Sequence, residues 1–351
     1  MYFDDRPKER REDLYDRERE IKDILSLIDE NRPLIVITGI RRLGKTSLLR
    51  VALNEAGREY VIVDLRGINP RSKRDLILRF QYGINESLRK FSKIRDYLKF
   101  VEGVEIAGLR VKLSWKSPET LYEVLSSLQE RGVVIAIDEV QDARGSVGKE
   151  LASAIAHFYD YGSSTFILTG SQVGPLYDFL GVENPRAPLY GRVWHEVKLE
   201  RFSREESIEF LKLGFSQVNL TPPGWFLEEA VETLDGIVGW LVKLGVIAMR
   251  EGFTRQVITR MLEESSKLVL EELNSFLAKR GRAREKYMEL LRAIAQGKDT
   301  WDELKETLGV GDSSLAKLLD NLTKASFIEK VGGRYRIQDP VLKFSLLSRW
   351  P

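Results

Sequence analysis

From Pro33 to Arg50 the chain reads PLIVITGIRRLGKTSLLR, and few stretches constrain a fold as tightly. Leu34 to Thr38 is an apolar run of strand length, and Ser47 to Leu53 continues as a helix. The loop between them gathers Arg41, Arg42 and Lys45 in five residues. Like charges crowded in one loop call for a negative ligand. The spacing is G-x-x-x-x-G-K-[ST], filled by Gly39, Gly44, Lys45 and Thr46. In a phosphate-binding loop the glycines let the backbone turn and bring its N–H groups close to phosphate oxygens. The lysine reaches the β- and γ-phosphates, and the threonine hydroxyl holds Mg²⁺. The helix that starts near Lys45 points its positive end the same way. Gly39, Ile40, Arg41, Arg42, Leu43, Gly44, Lys45, Thr46 and Ser47 are therefore the expected nucleotide-binding residues. A strand-to-helix turn with no ligand also fits the bare pattern; the strand–loop–helix setting argues against it.

A second stretch, GVVIAIDEVQDA, supports the loop independently. An apolar strand delivers Asp138 and Glu139 to its C-terminal tip. A carboxylate there can hold the water shell of Mg²⁺, so Thr46 and Asp138 are the expected metal residues. The neighbouring Glu139 can orient and polarise an attacking water. The next strand, FILTGSQ, ends in Thr169 and Ser171 at the same sheet edge, where ligands of open α/β sheets bind. Ser171 is the candidate sensor of the terminal phosphate, with an ordinary strand-end cap as the alternative.

Three strands alternating with helices predict a parallel α/β sheet. VEGVEIAGLRVKLSW interrupts the alternation and reads as a hairpin inserted over about 103–116, followed by a helix with Ser117 as N-cap and Pro118 at its first position. After RVWHEVKLERFS the pattern turns helical, with a capping box at Ser203 and Glu206. The last seventy residues read helix, helix, helix, hairpin, with a second capping box at Thr300 and Glu303 and a turn at Gly332–Gly333. That is a winged-helix pattern. The expected domains are 1–200, an α/β phosphate-loop domain; 201–279, a helical lid; and 280–351, a winged helix.

The chain has 351 residues, enough for two or three domains. It contains no cysteine and only two histidines, His157 and His195. Disulfides and thiol catalysis are excluded, and a Cys/His zinc site with them. No apolar run approaches a membrane span, and the charged N-terminus has no apolar signal core, so a cytoplasmic protein with no membrane partner is expected. From Lys279 to Pro351 there are 15 basic and 10 acidic residues; the rest has 40 and 43. The C-terminal segment is thus mildly basic.

YDREREI, GIRRLGKTSLL, VIAIDEVQ, LTGSQ and PLYGR occur in this order and at these spacings. Together they resemble the archaeal ATPase family, in the signal-transduction (STAND) branch of the AAA+-related P-loop ATPases. The resemblance covers nearly the whole chain. It implies ATP or ADP with Mg²⁺, a helical lid and a C-terminal winged helix. It implies that Arg17 and Glu18 lie near the adenine, that Lys45 and Thr46 are Walker A, and that Asp138 and Glu139 are Walker B with its catalytic acid. Arg192 of PLYGR matches an arginine considered for transition-state sensing; a salt-bridged surface arginine is the alternative, and between a role within one chain and one across subunits a lid that can fold over the site favours the first. The lid departs from its relatives at DGIVGWL, where Val238 stands in place of a proline that touches the nucleotide.

The resulting expectation is a Mg²⁺-ATPase, slow or stimulated by an unidentified protein partner, whose nucleotide state sets its domain arrangement. The alternative is a DNA-binding regulator with ATP as effector. On the third helix of the winged domain Lys317 and Lys324 are offset by Asp312 and Asp320, and the run Lys279, Arg280, Arg282, Arg284 and Lys286 offers phosphate contacts without a means of reading bases. Weak, non-specific DNA binding is the most this pattern predicts.

Overall fold

In the computed structural model, residues 1–108, 110–114 and 119–348 are described. Five strands, β1 (Leu34–Thr38), β2 (Tyr60–Asp64), β5 (Val134–Asp138), β6 (Phe166–Thr169) and β7 (His195–Lys198), form one sheet in the order β2-β5-β6-β1-β7. Every pairing in it is parallel. A parallel sheet is covered on both faces, so its inner strands are apolar throughout, and β1, β5 and β6 are buried at every residue. A further hairpin, β3 (Val104–Ala107) with β4 (Arg110–Leu113), stands apart from this sheet. Of the stretch expected to form it, Leu109 and Trp115 lie outside the described residues, as do Ser117 and Pro118, expected to open the following helix.

β7 is the strand that the sequence reading left out. It lies on the outer edge against β1, with Ile35 opposite His195 and Thr38 opposite Lys198. Only Val197 of its four residues is buried. An edge strand with one apolar position carries almost no periodic signal, and β7 forms because β1 offers it an open row of backbone partners.

The helices of this part are α1 (Glu18–Asp29), α2 (Lys45–Glu55), α3 (Lys73–Leu88), the short α4 (Ile94–Tyr97), α5 (Glu119–Gln129), α6 (Gly145–Tyr161) and α7 (Val173–Leu180). The core runs between these helices and the sheet, from Leu34 and Val36 through Phe80 and Leu125 to Ile155 and Phe166.

The chain divides into two compact units, Pro7–Leu199 and a second made of Met1–Arg6 with Glu200–Pro351. The second unit holds α8 (Arg204–Ser216), α9 (Gly224–Leu234), α10 (Val238–Glu251), α11 (Arg255–Leu277), α12 (Arg284–Ala295), α13 (Trp301–Leu308), α14 (Asp312–Lys324), the hairpin β8 (Ile328–Val331) and β9 (Arg334–Ile337), and α15 (Pro340–Ser348). Both expected capping boxes form, at Ser203–Glu206 and Thr300–Glu303. Arg201 joins the lid helices to the wing. Its guanidinium pairs with Asp235, with Glu329 at 3.1 Å and with the carbonyl of Gln338 at 2.8 Å. The Trp240 indole adds a bond of 3.0 Å to Asp339.

The first six residues are an integral part of this second unit. Phe3 is 3% exposed and packs on Phe210 and Phe215. Its ring fills the space where Gly214 and Gly245 lack side chains; a Cβ on either would come within 2.5 Å of it. A few residues on, the chain is fixed to the other unit. The Lys8 amide donates to Ser47 Oγ at 3.0 Å, Arg50 pairs with Glu9 at 2.6 Å and Asn54 donates to the Glu9 carbonyl at 2.7 Å, all on α2. No helix among the described residues is long and apolar enough to cross a membrane.

Candidate functional site

The C-terminal tips of β1, β5 and β6 meet at one edge of the sheet. β1 runs into the glycine loop, and Gly39 takes φ 140° and Gly44 φ 89°, a region that favours glycine. At Gly39 a Cβ would also stand 2.9 Å from the Leu199 carbonyl. Gly44 is the N-cap of α2 and offers no side-chain cap. The first-turn amides of an eleven-residue helix therefore face the loop without a side-chain acceptor from their cap, as an anion-binding turn requires.

Lys45 is only 5% exposed. Its ammonium turns back on the loop and donates to the carbonyls of Gly39 and Ile40, both at 2.8 Å. Burial pulls its pKa down to about 8, with Arg41 and Arg42 acting in the same direction and Glu139 and Asp138 opposing it. Thr46 donates its hydroxyl to Asp138 Oδ2 at 2.9 Å. This one bond joins the start of α2 to the end of β5.

Asp138 is 2% exposed, and Thr169 donates to its other oxygen. Burial pushes the Asp138 carboxyl up, against the hydrogen bonds from Thr169 and Thr46. Glu139 breaks out of the strand in the left-handed region at φ 54°. For a non-glycine residue that conformation costs on the order of 1 kcal/mol. It is held there by Thr169, whose hydroxyl accepts the Glu139 N–H at 3.0 Å. Burial pushes the Glu139 carboxyl up as well, but Lys45 and the bonds from Ser171 and Gln141 outweigh it, and its pKa is lowered overall. Two adjacent acids are thus driven in opposite directions, which separates their protonation behaviour.

The structure brings Gly39 through Ser47, Asp138, Glu139 and Ser171 together. Ser171 donates to Glu139 Oε2 at 2.7 Å. Ser47 is in the same turn, its hydroxyl taken by the Lys8 amide. Arg17 caps α1 in the left-handed region and pairs with Glu20 at 3.1 Å; Glu18 pairs with Arg11. Val238 opens α10 in the other unit.

Arg192 is not brought to the glycine loop in this structure. It precedes β7, whose first residue pairs near the start of β1, and it bonds Asp160 at the end of α6. Both positions belong to the N-terminal edge of the sheet, opposite the glycine loop.

Three residues of the site escaped the sequence reading. Asp64 ends β2 directly opposite Asp138. Arg66 stands between them, 3.4 Å from Asp64 and 3.5 Å from Asp138. Gln141 bonds Glu139 and Ser171. The acid ending YVIVD was a usable signal for Asp64; nothing in residue type marks the other two.

Residues 14–244 match the family described as an ATPase domain predominantly from Archaea. The chain belongs to this archaeal ATPase family. Residues 281–338 also match the C-terminal winged helix-turn-helix domain of MCM proteins. The Walker-type ATPase PABY2304 of Pyrococcus abyssi has 37% identity and a TM-score of 0.84 over 99% of both chains. An uncharacterized protein of Methanocaldococcus jannaschii, MJECL04, is 23% identical over 94% of this chain and 67% of its own length. A STAND protein with a tetratricopeptide repeat sensor, PH0952 of Pyrococcus horikoshii, has 18% identity and a TM-score of 0.41 over 96% of this chain and 43% of its own. The fold is that of an archaeal P-loop ATPase with a C-terminal winged helix.

The side chains at the family's site fit a magnesium nucleotide. Thr46 and Asp138 supply two hard oxygen donors in contact with each other. Among the described residues no three His, Cys, Asp or Glu side chains converge to hold a metal by themselves.

Proposed function

We propose that the chain binds Mg²⁺-ATP and hydrolyses it, and that the bound nucleotide sets the arrangement of its two units. The contact between Thr46 and Asp138 carries this reading, because it couples the loop that would hold phosphate to the strand that delivers Glu139. The loop amides and Lys45 bind the β- and γ-phosphates. Thr46 and Asp138 would hold Mg²⁺, which would neutralise phosphate charge. Glu139 takes a proton from water as the water oxygen bonds the γ-phosphorus and the bond to the ADP oxygen breaks, leaving ADP and phosphate. Arg17 and Glu18 serve the base, and Ser171 and Glu139 respond together to the terminal phosphate.

Glu139→Gln tests the chemistry. The amide still fits the pocket but accepts no proton, so turnover falls ~10²–10⁴-fold while ATP binding by calorimetry is kept. Wild-type turnover in this variant would move the base elsewhere. A change in limited proteolysis near Arg280 between ADP and a non-hydrolysable ATP analogue tests the switch.

Arg192 reaches phosphate only in a neighbouring copy of the chain. Mixing Arg192→Ala with Lys45→Ala chains then restores activity that neither has alone. No restoration leaves Arg192 as the structural partner of Asp160.

The DNA-regulator reading is the weaker one. On and beside α14, Lys324 pairs with Asp320 at 3.2 Å and Lys305 with Asp312 at 2.9 Å. On the wing, Arg334 pairs with Asp299 at 2.7 Å and Arg336 with Glu329 at 2.8 Å. DNA contact is proposed as weak and non-specific, and the winged helix as a packing domain for the lid or for a protein partner.

A further inference from the structure

Gln141 is a polar side chain sealed inside the protein. It is 2% exposed and lies on the single turn of 3-10 helix, Val140–Asp142, that follows Glu139. Its amide nitrogen donates to Glu139 Oε2 and, at 3.2 Å, to Ser171 Oγ. Ser171 donates to the same Oε2 at 2.7 Å. The three groups close a triangle on one oxygen of one carboxylate. The turn is fixed from outside by Arg144, which donates to the Gln141 carbonyl at 3.1 Å.

The other end of the amide shows that this arrangement is not a packing optimum. Gln141 Oε1 is buried without a hydrogen-bond partner. An orphaned buried carbonyl costs free energy that an apolar side chain of similar shape avoids. The space beside it exists because residue 170 is glycine. A Cβ there would stand 2.9 Å from Gln141 Oε1 and 2.9 Å from Leu176 Cδ2. Among the described residues the amide's hydrogen bonds go to Glu139 and Ser171, and its other end is left unpaired.

We infer that Gln141 is a positioning residue for Glu139: with Ser171 it saturates Oε2, fixes the plane of the carboxyl, and leaves Oε1 as the oxygen that takes the proton from the attacking water. This rests on the hydrolysis reading above. A base held in one orientation is presented to water on every encounter; one that rotates is misdirected for much of the time.

The test uses Gln141→Leu in the full chain. The expected kcat is lower by roughly 10–100-fold, the scale of lost support for a reacting group. KM for ATP and the calorimetric Kd for a non-hydrolysable analogue stay within about twofold, because the phosphate contacts lie elsewhere. The melting temperature moves by roughly 4 °C or less. Glu139→Asp draws the carboxyl back from the amide, so adding Gln141→Leu to it costs no further activity. A readout without turnover is the side-chain amide spectrum of the glutamine-labelled chain. The resonance that disappears in Gln141→Leu shifts in Glu139→Ala. Wild-type kcat in Gln141→Leu, or an undiminished loss on the Glu139→Asp background, overturns the assignment and leaves Glu139 as the base. A wild-type chain with no turnover defeats the hydrolysis reading and this assignment with it.

Discussion

The glycine loop and the winged helix both gather positive charge, and they dispose of it in opposite ways. In the loop Lys45 is buried and its ammonium hydrogen-bonds two backbone carbonyls at 2.8 Å, with Glu139 and Asp138 acting on it through space. Burial holds its pKa down to about 8, so a phosphate that offers full negative charge gains an interaction that the carbonyls do not match. On the winged domain Lys305, Lys324, Arg334 and Arg336 each face a carboxylate, at 2.7 to 3.2 Å. A phosphodiester there would have to displace an acid already in place. The count of basic residues is therefore a poor guide to where an anion binds; what decides it is the partner each base already has.

The largest effect expected from breaking this contrast is at Lys45. Lys45→Ala removes one charge-assisted contact to the β/γ-phosphates, worth on the order of 1.5–3 kcal/mol, and nucleotide affinity falls roughly 10–100-fold in calorimetry. The loop keeps its shape, because its turn depends on Gly39 and Gly44. Unchanged affinity would remove the phosphate role.

A smaller effect sharpens the same point through pH. Lys45 has a pKa of about 8, below its ordinary 10.5, so the free chain holds fewer protons there than an unfolded one between those values. Its contribution to stability therefore rises as pH climbs from 8 toward 10.5, and the cost of the buried charge is fully present below 8. Phosphate favours the charged form and raises the pKa again. Nucleotide binding then takes up protons above pH 8, and affinity weakens there by at most about tenfold per pH unit. Binding heats compared in Tris and HEPES at pH 8.5 measure the uptake. Equal heats after correction for dilution would mean that Lys45 does not change its protonation on binding.

The smallest effect is expected on the winged domain. Asp312→Asn with Asp320→Asn releases Lys305 and Lys324 from their acids. Non-specific DNA affinity rises a few-fold at low salt and becomes more salt-dependent by about two released counterions. Tight, sequence-selective binding by the unaltered chain at physiological salt would reverse the comparison and favour the regulator reading.

Much of the fold was legible because its inner strands are apolar throughout. LIVIT, VIAID and FILT have no competing interpretation once turn residues bound them. β7 was not legible, since HEVK buries one residue and depends on β1 for its partners. The loop and the Asp138–Glu139 tip could be read because their chemistry requires fixed spacing along the chain. Arg66 and Gln141 could not, because their roles come from neighbours on other strands, at 3.5 Å for Arg66 and Asp138 and 3.2 Å for Gln141 and Ser171. The same holds for Arg192. Residue order does not say at which end of a parallel sheet a connecting segment lies, and here Asp160 holds it at the end away from the loop.

Phe3 has a consequence for the order in which the molecule can be made. Its slot is formed by Gly214 and Gly245, more than two hundred residues downstream, on α8 and α10. Synthesis delivers residues from the N-terminus onward, at ~5–20 per second, and earlier domains generally fold as units first. The segment Pro7–Leu199 can therefore assemble on α2 and the sheet while the first six residues wait outside with an aromatic side chain uncovered. Docking of Phe3 closes one of the longest loops in the chain and comes after most of the contacts around it.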